Sequence, residues 1–568
     1  MTHLVDELLD VARSAPEVVA LRWFGGRAGA RVREEVTFAG LAERVERAAA
    51  GLWACGMTPG DRVLFSIRPR PEGVILCLAV LHAGGAVVFV DPGSTPELFA
   101  ARITAARPRW AATEALLYAA SSGPLRAVAR SRGLLLPDYG RLPVRHLYTG
   151  SWLPGVPRGA RRVASLGRAA QGVAAGRGTS QEREDREALV VFTSGTTSDP
   201  KAVVHTTRTL SGMLSLFAQV GDLKLGQRAH TDQMFLGLPA LLAGGTWEIP
   251  AKAPKDAPEA FARGVAGADS SFLVPADVTA LLDVLEARST AASPDGGVPA
   301  AAEAAVGPAG PAVLAVGAAP VTVALLERGR RVLPGTRWLA VYGATEILPA
   351  AVTGADEKIA AAADGDLVGR PLDGIGARID TTVVDLDETP VARESAHEVG
   401  ELVLTGPSLM AGYLSDLDAG RPPATEHRTG DLAYEDAAGR IVLVGRNRDM
   451  IIRGTVNIYP GLFEPRLRDL PGVADAVLVG VPVPDGDERV VLVVTAAGGA
   501  WAAGDPRVRT GTDLTRTVAD QVTRVLDHGA LPDLVVEASH LPVAGRSRKP
   551  DRRALVSLVS PLAGTVRA

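Results

Sequence analysis

The chain has 568 residues, a formal net charge of −4, and only 4% aromatic residues. Its length predicts several structural units with ample core, while the near-neutral charge and scarcity of rings argue against nucleic acid or an anionic membrane as a partner. No apolar run reaches the roughly 18 residues needed to cross a bilayer, so a soluble protein without a transmembrane segment is expected. In chain order, Leu41, Val45, Ala49 and Leu52 recur at helical spacing, RVLFSI (62–67) reads as a strand, VILCLAVLHAG (74–84) as an apolar helix and AVVFVDP (86–92) as the next strand. Strand, helix, strand with tight Gly turns predicts a parallel sheet covered by helices. Residues 153–187, ending in the charge run QEREDRE, and 288–312, mostly Ala, Pro and Gly, read as surface loops without elements. Between them Pro275 opens a helix whose stripe of Val278, Leu281, Leu282 and Leu285 belongs to a core. Beyond about residue 446, ADAVLVGVPV and ERVVLVVTAA read as strands of a compact domain that closes in the basic segment RSRKPDRR. The expected fold is α/β, with a large N-terminal domain of parallel and mixed sheets covered by helices (1–446) and a small α+β C-terminal domain (447–568).

The opening MTHLVDELLDVARSAPE carries early acids and no long apolar centre, unlike a secretory or transit leader, and a cytoplasmic location is expected. Cys55 and Cys77 lack the spacing of a disulfide framework or a metal site and read as reduced thiols.

The stretch FTSGTTSDPK (192–201) follows the apolar run ALVVF with hydroxyls, one Gly and a Lys. It lacks the GxxxxGK spacing of a P-loop. The tetrad Ser198 to Lys201 spells SxxK, but Pro200 opposes the helix which that motif requires. What remains is a strand end whose loop amides, hydroxyls and Lys201 can face phosphate oxygens. Downstream, VYGATE (341–346) puts Thr345 and Glu346 after the strand WLAVYG, where a hydroxyl and a carboxylate can hold a phosphate oxygen and a hydrated Mg2+. HRTGDLAY (427–434) puts Asp431 in a turn, able to accept both hydroxyls of a ribose. GRNRDMII (445–452) supplies Arg446 and Asp449, and LPVAGRSRKPDRRAL (541–555) supplies Lys549.

Five ordered motifs, FTSGTTSDPK, VYGATE, GELVLTGPSLMAGYL, TGD, and GRNRDMII with NIYP, give the chain its resemblance to the adenylate-forming superfamily of acyl-CoA and aryl-CoA ligases, luciferases and peptide-synthetase adenylation domains. The resemblance spans nearly the whole length. It implies that Thr193, Ser194, Gly195, Thr196, Thr197 and Lys201 form a loop over the β- and γ-phosphates of ATP. It also implies that Gly317, Ala318 and Ala319 line the adenine and acyl pocket beside Tyr342 and Gly343. Thr345 would meet the α-phosphate, Glu346 the Mg2+, Asp431 the ribose, and Arg446 the ribose or phosphate. Asp449 would be the hinge of a mobile C-terminal domain, and Lys549 the cation between carboxylate and α-phosphate, with Arg546 and Arg548 as neighbouring substitutes.

Some positions depart from the superfamily pattern. Ser198 and Ala202 stand where Gly is usual, Arg548 where Gly precedes the last Lys, and Thr455 where Gly is common in a segment resembling the pantetheine tunnel of thioester-forming members. AVVFVDPG, YGATEILPAA and the stretched tail before Lys549 are similar to the olefin-pathway β-lactone synthetases. FLGLPALLAGG (235–245), free of charge and of His, points to an apolar acid. The expected function is therefore ATP- and Mg2+-dependent activation of a fatty or otherwise apolar acid, then transfer to CoA or a carrier protein. The alternatives are closure of a β-lactone without CoA, or a non-catalytic relative that binds nucleotide or acyl groups. His205 and His230 are possible site residues, read first as ordinary solvated or hydrogen-bonded histidines.

Overall fold

The computed structural model describes residues 3–26, 29, 31–90, 96–122, 125–131, 136–169, 180–192, 201–291, 310–361, 365–383, 398–446, 451–453, 456–458, 460–482, 488–498, 507–524, 526, 531–544 and 549–563. They fall into two compact units. The first comprises Met1–Ala355, Leu372–Ile375 and Thr405–Thr425; the second comprises Asp356–Pro371, Gly376–Leu404 and Glu426–Ala568.

In the first unit the expected alternation is present. Helix Phe38–Ala54 buries Leu41, Val45, Ala49 and Leu52, strand Arg62–Ser66 follows, then helix Pro71–His82 and strand Ala86–Phe89. These strands lie in an eight-stranded sheet ordered Gly412–Tyr413, Ala202–Thr206, Glu187–Phe192, Ala86–Phe89, Arg62–Ser66, Trp110–Glu114, Arg145–Thr149, Arg161–Arg162. From Glu187–Phe192 onward the pairing is parallel, and the first two contacts are antiparallel. Buried on both faces, these strands are continuous apolar runs rather than alternating ones, as the near-complete burial of Val87, Val88, Val190 and Leu64 requires.

A second sheet of this unit runs Ile347–Gly354, Arg337–Ala344, Val313–Val316, Ser270–Leu273, Arg228–His230, Thr246–Ile249, Val19–Gly25, Arg31–Thr37. Its inner strands are parallel and its two outer pairs antiparallel. One core joins the two sheets through helices that include Leu4–Ser14, Pro71–His82 and Thr207–Gly221. Helix Pro275–Ala291 starts at the expected proline and buries Val278, Leu281, Leu282 and Leu285. Cys77 is buried, which pushes its thiol up to about 12, and both cysteines are free.

Residues 153–187 are not the element-free loop that composition suggested. Arg161–Arg162 adds an edge strand, Val163–Ala169 is a 3-10 helix and Ser180–Glu184 an α-helix. Val163 and Leu166 are buried, and Gly51 has no room for a Cβ beside the Leu166 carbonyl. The charge run is consumed in ion pairs: Arg183 with Asp6 at 2.8 Å, Glu184 with Arg208 at 3.1 Å and Glu187 with Arg62 at 2.7 Å. Likewise, helix Pro275–Ala291 enters the segment 288–312, of which 292–309 lie outside the described residues.

In the second unit, strands Gly376–Asp380, Gly400–Thr405, His427–Glu435, Ile441–Arg446 and Asp366–Pro371 follow one another in that order over a core of Leu367, Val399, Leu432, Tyr434, Val442 and Val444. Farther along the chain, Val473–Pro482, Glu488–Ala496, Leu534–Ala538 and Val508–Arg509 form a four-stranded mixed sheet. ADAVLVGVPV and ERVVLVVTAA thus become an antiparallel pair, the first as the edge strand and the second inside the sheet. Their side chains alternate between two cores: Leu478, Leu492 and Val494 pack with Leu467 and Val518 of helices Pro460–Arg468 and Asp513–Gln521, and Val477, Val479 and Val493 pack with Leu555 and Val559 of helix Arg552–Ala563. The period of two along each strand is what allows helices on both faces.

The segment KPDRRAL owes much of its form to this packing. The Asp551 carboxylate accepts from the Ala554 amide at 3.0 Å at the start of the last helix. Arg552 donates to both oxygens of Glu464 at 2.7 and 2.9 Å and to the Leu478 carbonyl at 2.6 Å. Glu464, only 6% exposed, also accepts from the Leu478 amide at 2.9 Å. Glu464→Leu leaves the Arg552 guanidinium without its counter-charge and is expected to destabilise this unit by about 2–3 kcal/mol. Chemical denaturation checks this, and an unchanged midpoint would show that the pair contributes nothing net.

Candidate active site

Three chain segments meet at the carboxyl-terminal edge of the first unit's parallel strands, the edge where open α/β sheets bind ligands. The first is the hairpin Glu187–Phe192 and Ala202–Thr206. Phe192 and Ala202 are antiparallel register partners, so the chain after Lys201 continues as a strand and not as the helix of a P-loop or of an SxxK acyl-enzyme. Thr193, Ser194, Gly195, Thr196 and Thr197 lie outside the described residues, and Lys201 is exposed at the loop's end.

The second segment is the hairpin Arg337–Ala344 and Ile347–Gly354. Ala344 pairs with Ile347, so Thr345 and Glu346 are the whole turn. Tight hairpin turns of this length favour Gly, Asn or Asp in positive-φ conformations, and this pair has none of them and no positive φ. The turn is held from outside. His205 Nε2 lies 2.9 Å from the Thr345 carbonyl, Met410 donates its amide to the Glu346 carbonyl at 2.7 Å, and the Tyr413 hydroxyl donates to Glu346 Oε1 at 2.8 Å. His205 is fully buried, and burial pushes its imidazole below the ordinary value, so it stands neutral with the proton on Nε2. Its Nδ1 faces the Thr209 hydroxyl at 3.3 Å.

The third segment is Met410–Tyr413. Gly412 and Tyr413 pair with Val204 and Val203, and the Ala411 amide donates to the Val204 carbonyl at 2.8 Å. The Lys201 ammonium lies over the Tyr413 ring, 5.2 Å from its centroid.

Gly317, Ala318 and Ala319 follow strand Val313–Val316, whose neighbour Arg337–Ala344 carries Tyr342 and Gly343. The parallel register sets Val316 beside Ala340, so these residues share the same sheet edge. A Cβ on Gly317 would come within 2.9 Å of the Val341 carbonyl. Ala318 takes φ +65°, a conformation that costs a residue with a Cβ on the order of 1 kcal/mol. Strain of that kind concentrates at binding loops.

In the second unit Asp431 is not in a turn. It lies in strand His427–Glu435, where the register against Glu401–Val403 shifts and Gly430 takes φ +69°. The bulge is fastened from both sides: Glu401 accepts from the Gly430 amide at 3.0 Å and from Arg428 Nε at 3.0 Å, while the Thr429 hydroxyl donates to the Leu402 carbonyl and accepts from the Asp431 amide. Gly before Asp reads as a turn, and the extra residues of a paired strand, here 429–431 opposite Leu402, use the same positive-φ Gly. Asp431 is 4% exposed and is the register partner of Arg446. The Arg446 backbone ends strand Ile441–Arg446; its side chain and Asp449 lie outside the described residues. Lys549 opens the short strand Lys549–Pro550, paired with Val543–Ala544, and its side chain, Arg546 and Arg548 are likewise outside.

The AMP-binding enzyme family matches residues 8–414. The chain belongs to that family. It is an enzyme of the adenylate-forming, ATP-dependent type. Over its length it is 28% identical to an olefin β-lactone synthetase of Xanthomonas campestris pv. campestris, covering 96% of this chain and 97% of that protein. It is also 28% identical to an indenyl-propanoyl:CoA ligase of Mycobacterium tuberculosis, covering 91% and 93%. The amide bond synthetase of Marinactinospora thermotolerans has the same fold, with a TM-score of 0.70 at 22% identity over 98% of this chain and 99% of that one.

Two residues of GELVLTGPSLMAGYL to which the sequence assigned no role hold candidate residues in place: within the second unit Glu401 fastens the Asp431 bulge, and within the first Tyr413 touches both Lys201 and Glu346. His205, in contrast, stands at the site as a buried support. His230 is buried against Phe24, Phe261 and Glu248, remote in role from the site. The apolar stretch 235–245 divides: Leu238 and Leu241 are core, while Phe235 is half-buried and sets its edge against Phe89 at 5.5 Å. A cavity of about 210 Å³ at the opposite, amino-terminal edge of the sheet is lined by His3, His82, Arg183 and Glu187 among others. Its Arg183 and Glu187 are committed to ion pairs, and His3 Nδ1 accepts from the Val5 amide, so these polar groups serve the fold.

Among the described residues no cluster of three His, Cys, Asp or Glu side chains could cage a metal, and no helix is long and apolar enough to cross a membrane. A lone carboxylate at a strand edge nonetheless fits Mg2+, which keeps several waters and takes one or two carboxylates together with substrate phosphates.

Proposed function

We propose that the protein uses ATP and Mg2+ to convert an apolar carboxylic acid to its acyl-adenylate, and then transfers the acyl group to the thiol of CoA or a carrier protein. The observation that carries this reading is the meeting of Lys201, Thr345, Glu346 and the 317–319 loop at one edge of the parallel strands, a cation and a carboxylate where phosphates would lie. In this reading Thr193, Ser194, Gly195, Thr196, Thr197 and Lys201 cradle the β- and γ-phosphates. Gly317, Ala318, Ala319, Tyr342 and Gly343 border the adenine and acyl groups. Thr345 donates to the α-phosphate, Asp431 accepts the ribose hydroxyls with Arg446 alongside, and Glu346 holds the metal, which when bound neutralises phosphate charge. Residues 447–568 act as a lid turning about Asp449, which brings Lys549 between the carboxylate and the α-phosphate and keeps water from the mixed anhydride.

A second reading has its own support. The full-length similarity to two olefin β-lactone synthetases, the second from Stenotrophomonas maltophilia at 27% identity, favours a 3-hydroxy acid whose own hydroxyl displaces AMP and closes the ring without CoA. Mass spectrometry of purified protein with ATP, Mg2+ and a panel of fatty and 3-hydroxy-2-alkyl acids, with and without CoA, separates the two. An acyl-CoA formed only with CoA supports the thiol reading and a lactone with AMP in its absence supports the second. No AMP from any acid counts against both.

A further inference from the structure

We propose that Tyr413 is a positioning residue that ties the Lys201 ammonium and the Glu346 carboxylate into one unit, setting the affinity of the site for Mg2+-bound ATP. The proposal rests on the nucleotide reading above. Lys201 and Glu346 lie on different hairpins of different sheets, and Tyr413 touches both: its hydroxyl donates to Glu346 Oε1 at 2.8 Å, and its ring faces the Lys201 ammonium at 5.2 Å. A cation within about 6 Å of a ring centroid is attracted by the ring quadrupole. The phenol thus orients both charges without requiring them to neutralise each other in a direct pair. Occupying one oxygen of Glu346 leaves the other oriented for a metal or its water shell.

The backbone fixes this arrangement. Tyr413 pairs with Val203, two residues beyond Lys201, so strand pairing sets the ring beside the loop's last residue. Three residues earlier, Met410 binds the Glu346 carbonyl. One short segment therefore grips Glu346 by main chain and side chain while it is stitched to the strand that Lys201 begins.

Substitutions separate the two contacts. Tyr413→Phe keeps the ring and loses the hydroxyl; Tyr413→Leu loses both. Isothermal titration of ATP at a series of Mg2+ concentrations needs no knowledge of the acid. Tyr413→Phe should raise the Mg2+ concentration for half-maximal ATP binding about tenfold, with little change at saturating Mg2+. Tyr413→Leu should weaken ATP binding about fivefold further, even at saturating Mg2+. In a Glu346→Ala background, Tyr413→Phe should cost nothing more. In turnover, the loss in Tyr413→Phe should lie in KM for ATP rather than kcat. Circular dichroism melting verifies that the variants are folded. An unchanged Mg2+ dependence in Tyr413→Phe, or a full additional loss in the Glu346→Ala background, overturns the positioning role while the nucleotide reading stands. Absence of Mg2+-dependent ATP binding in the unmodified protein overturns both.

Discussion

Lys549→Ala is expected to lower acid-dependent release of pyrophosphate from ATP on the order of a hundredfold or more, with ATP binding close to that of the unmodified protein. The nucleophile is a carboxylate and its target a phosphate, and two like charges 4 Å apart repel by about 4 kcal/mol at an effective dielectric of 20. A lysine ammonium between them removes that repulsion and aligns the two oxygens for in-line attack. The residues after Lys549 set its register: Asp551 caps the last helix and Arg552 is clamped to Glu464. The backbone of Lys549 is paired opposite Ala544. Pyrophosphate release and ATP titration on the same preparation check the prediction. A variant that makes adenylate at the normal rate would assign the role to Arg546 or Arg548.

The second large effect is expected at Glu346. Glu346→Gln should reduce kcat/KM for ATP by about a hundredfold and raise the Mg2+ requirement, because the carboxamide keeps an oxygen for Tyr413 but carries no charge for a metal. The Thr345–Glu346 turn itself should survive, since Met410 and His205 hold its two carbonyls. The measurement is initial rate across a matrix of Mg2+ and ATP concentrations. A rate loss that excess Mg2+ does not alter would make Glu346 a structural residue of the turn instead of a metal ligand.

Local pattern was enough to read much of this protein. The apolar stripe of Phe38–Ala54, the runs that became Arg62–Ser66 and Ala86–Phe89, and the two strands after residue 473 announce themselves because helix and strand periodicities depend on near neighbours. The motif hydroxyls and charges raise the expectation of a phosphate site because few other chemistries need that set in that order.

Other features arose only when distant segments met. The charges of QEREDRE read as a solvated run because their partners, Asp6, Arg62 and Arg208, lie elsewhere in the chain. Asp431 read as a turn residue because nothing nearby indicates that Glu401 and Leu402 fasten TGD as a bulge inside a strand. Tyr413 could be quoted inside a motif and still carry no role, since its role is defined by Lys201 on one side and Glu346 on the other. The sequence by itself therefore determined the elements and the chemical inventory of the site, which are matters of local periodicity and residue type. Only the tertiary structure decided which groups hold one another in place, because strand pairing and side-chain packing between segments distant in the chain set those contacts.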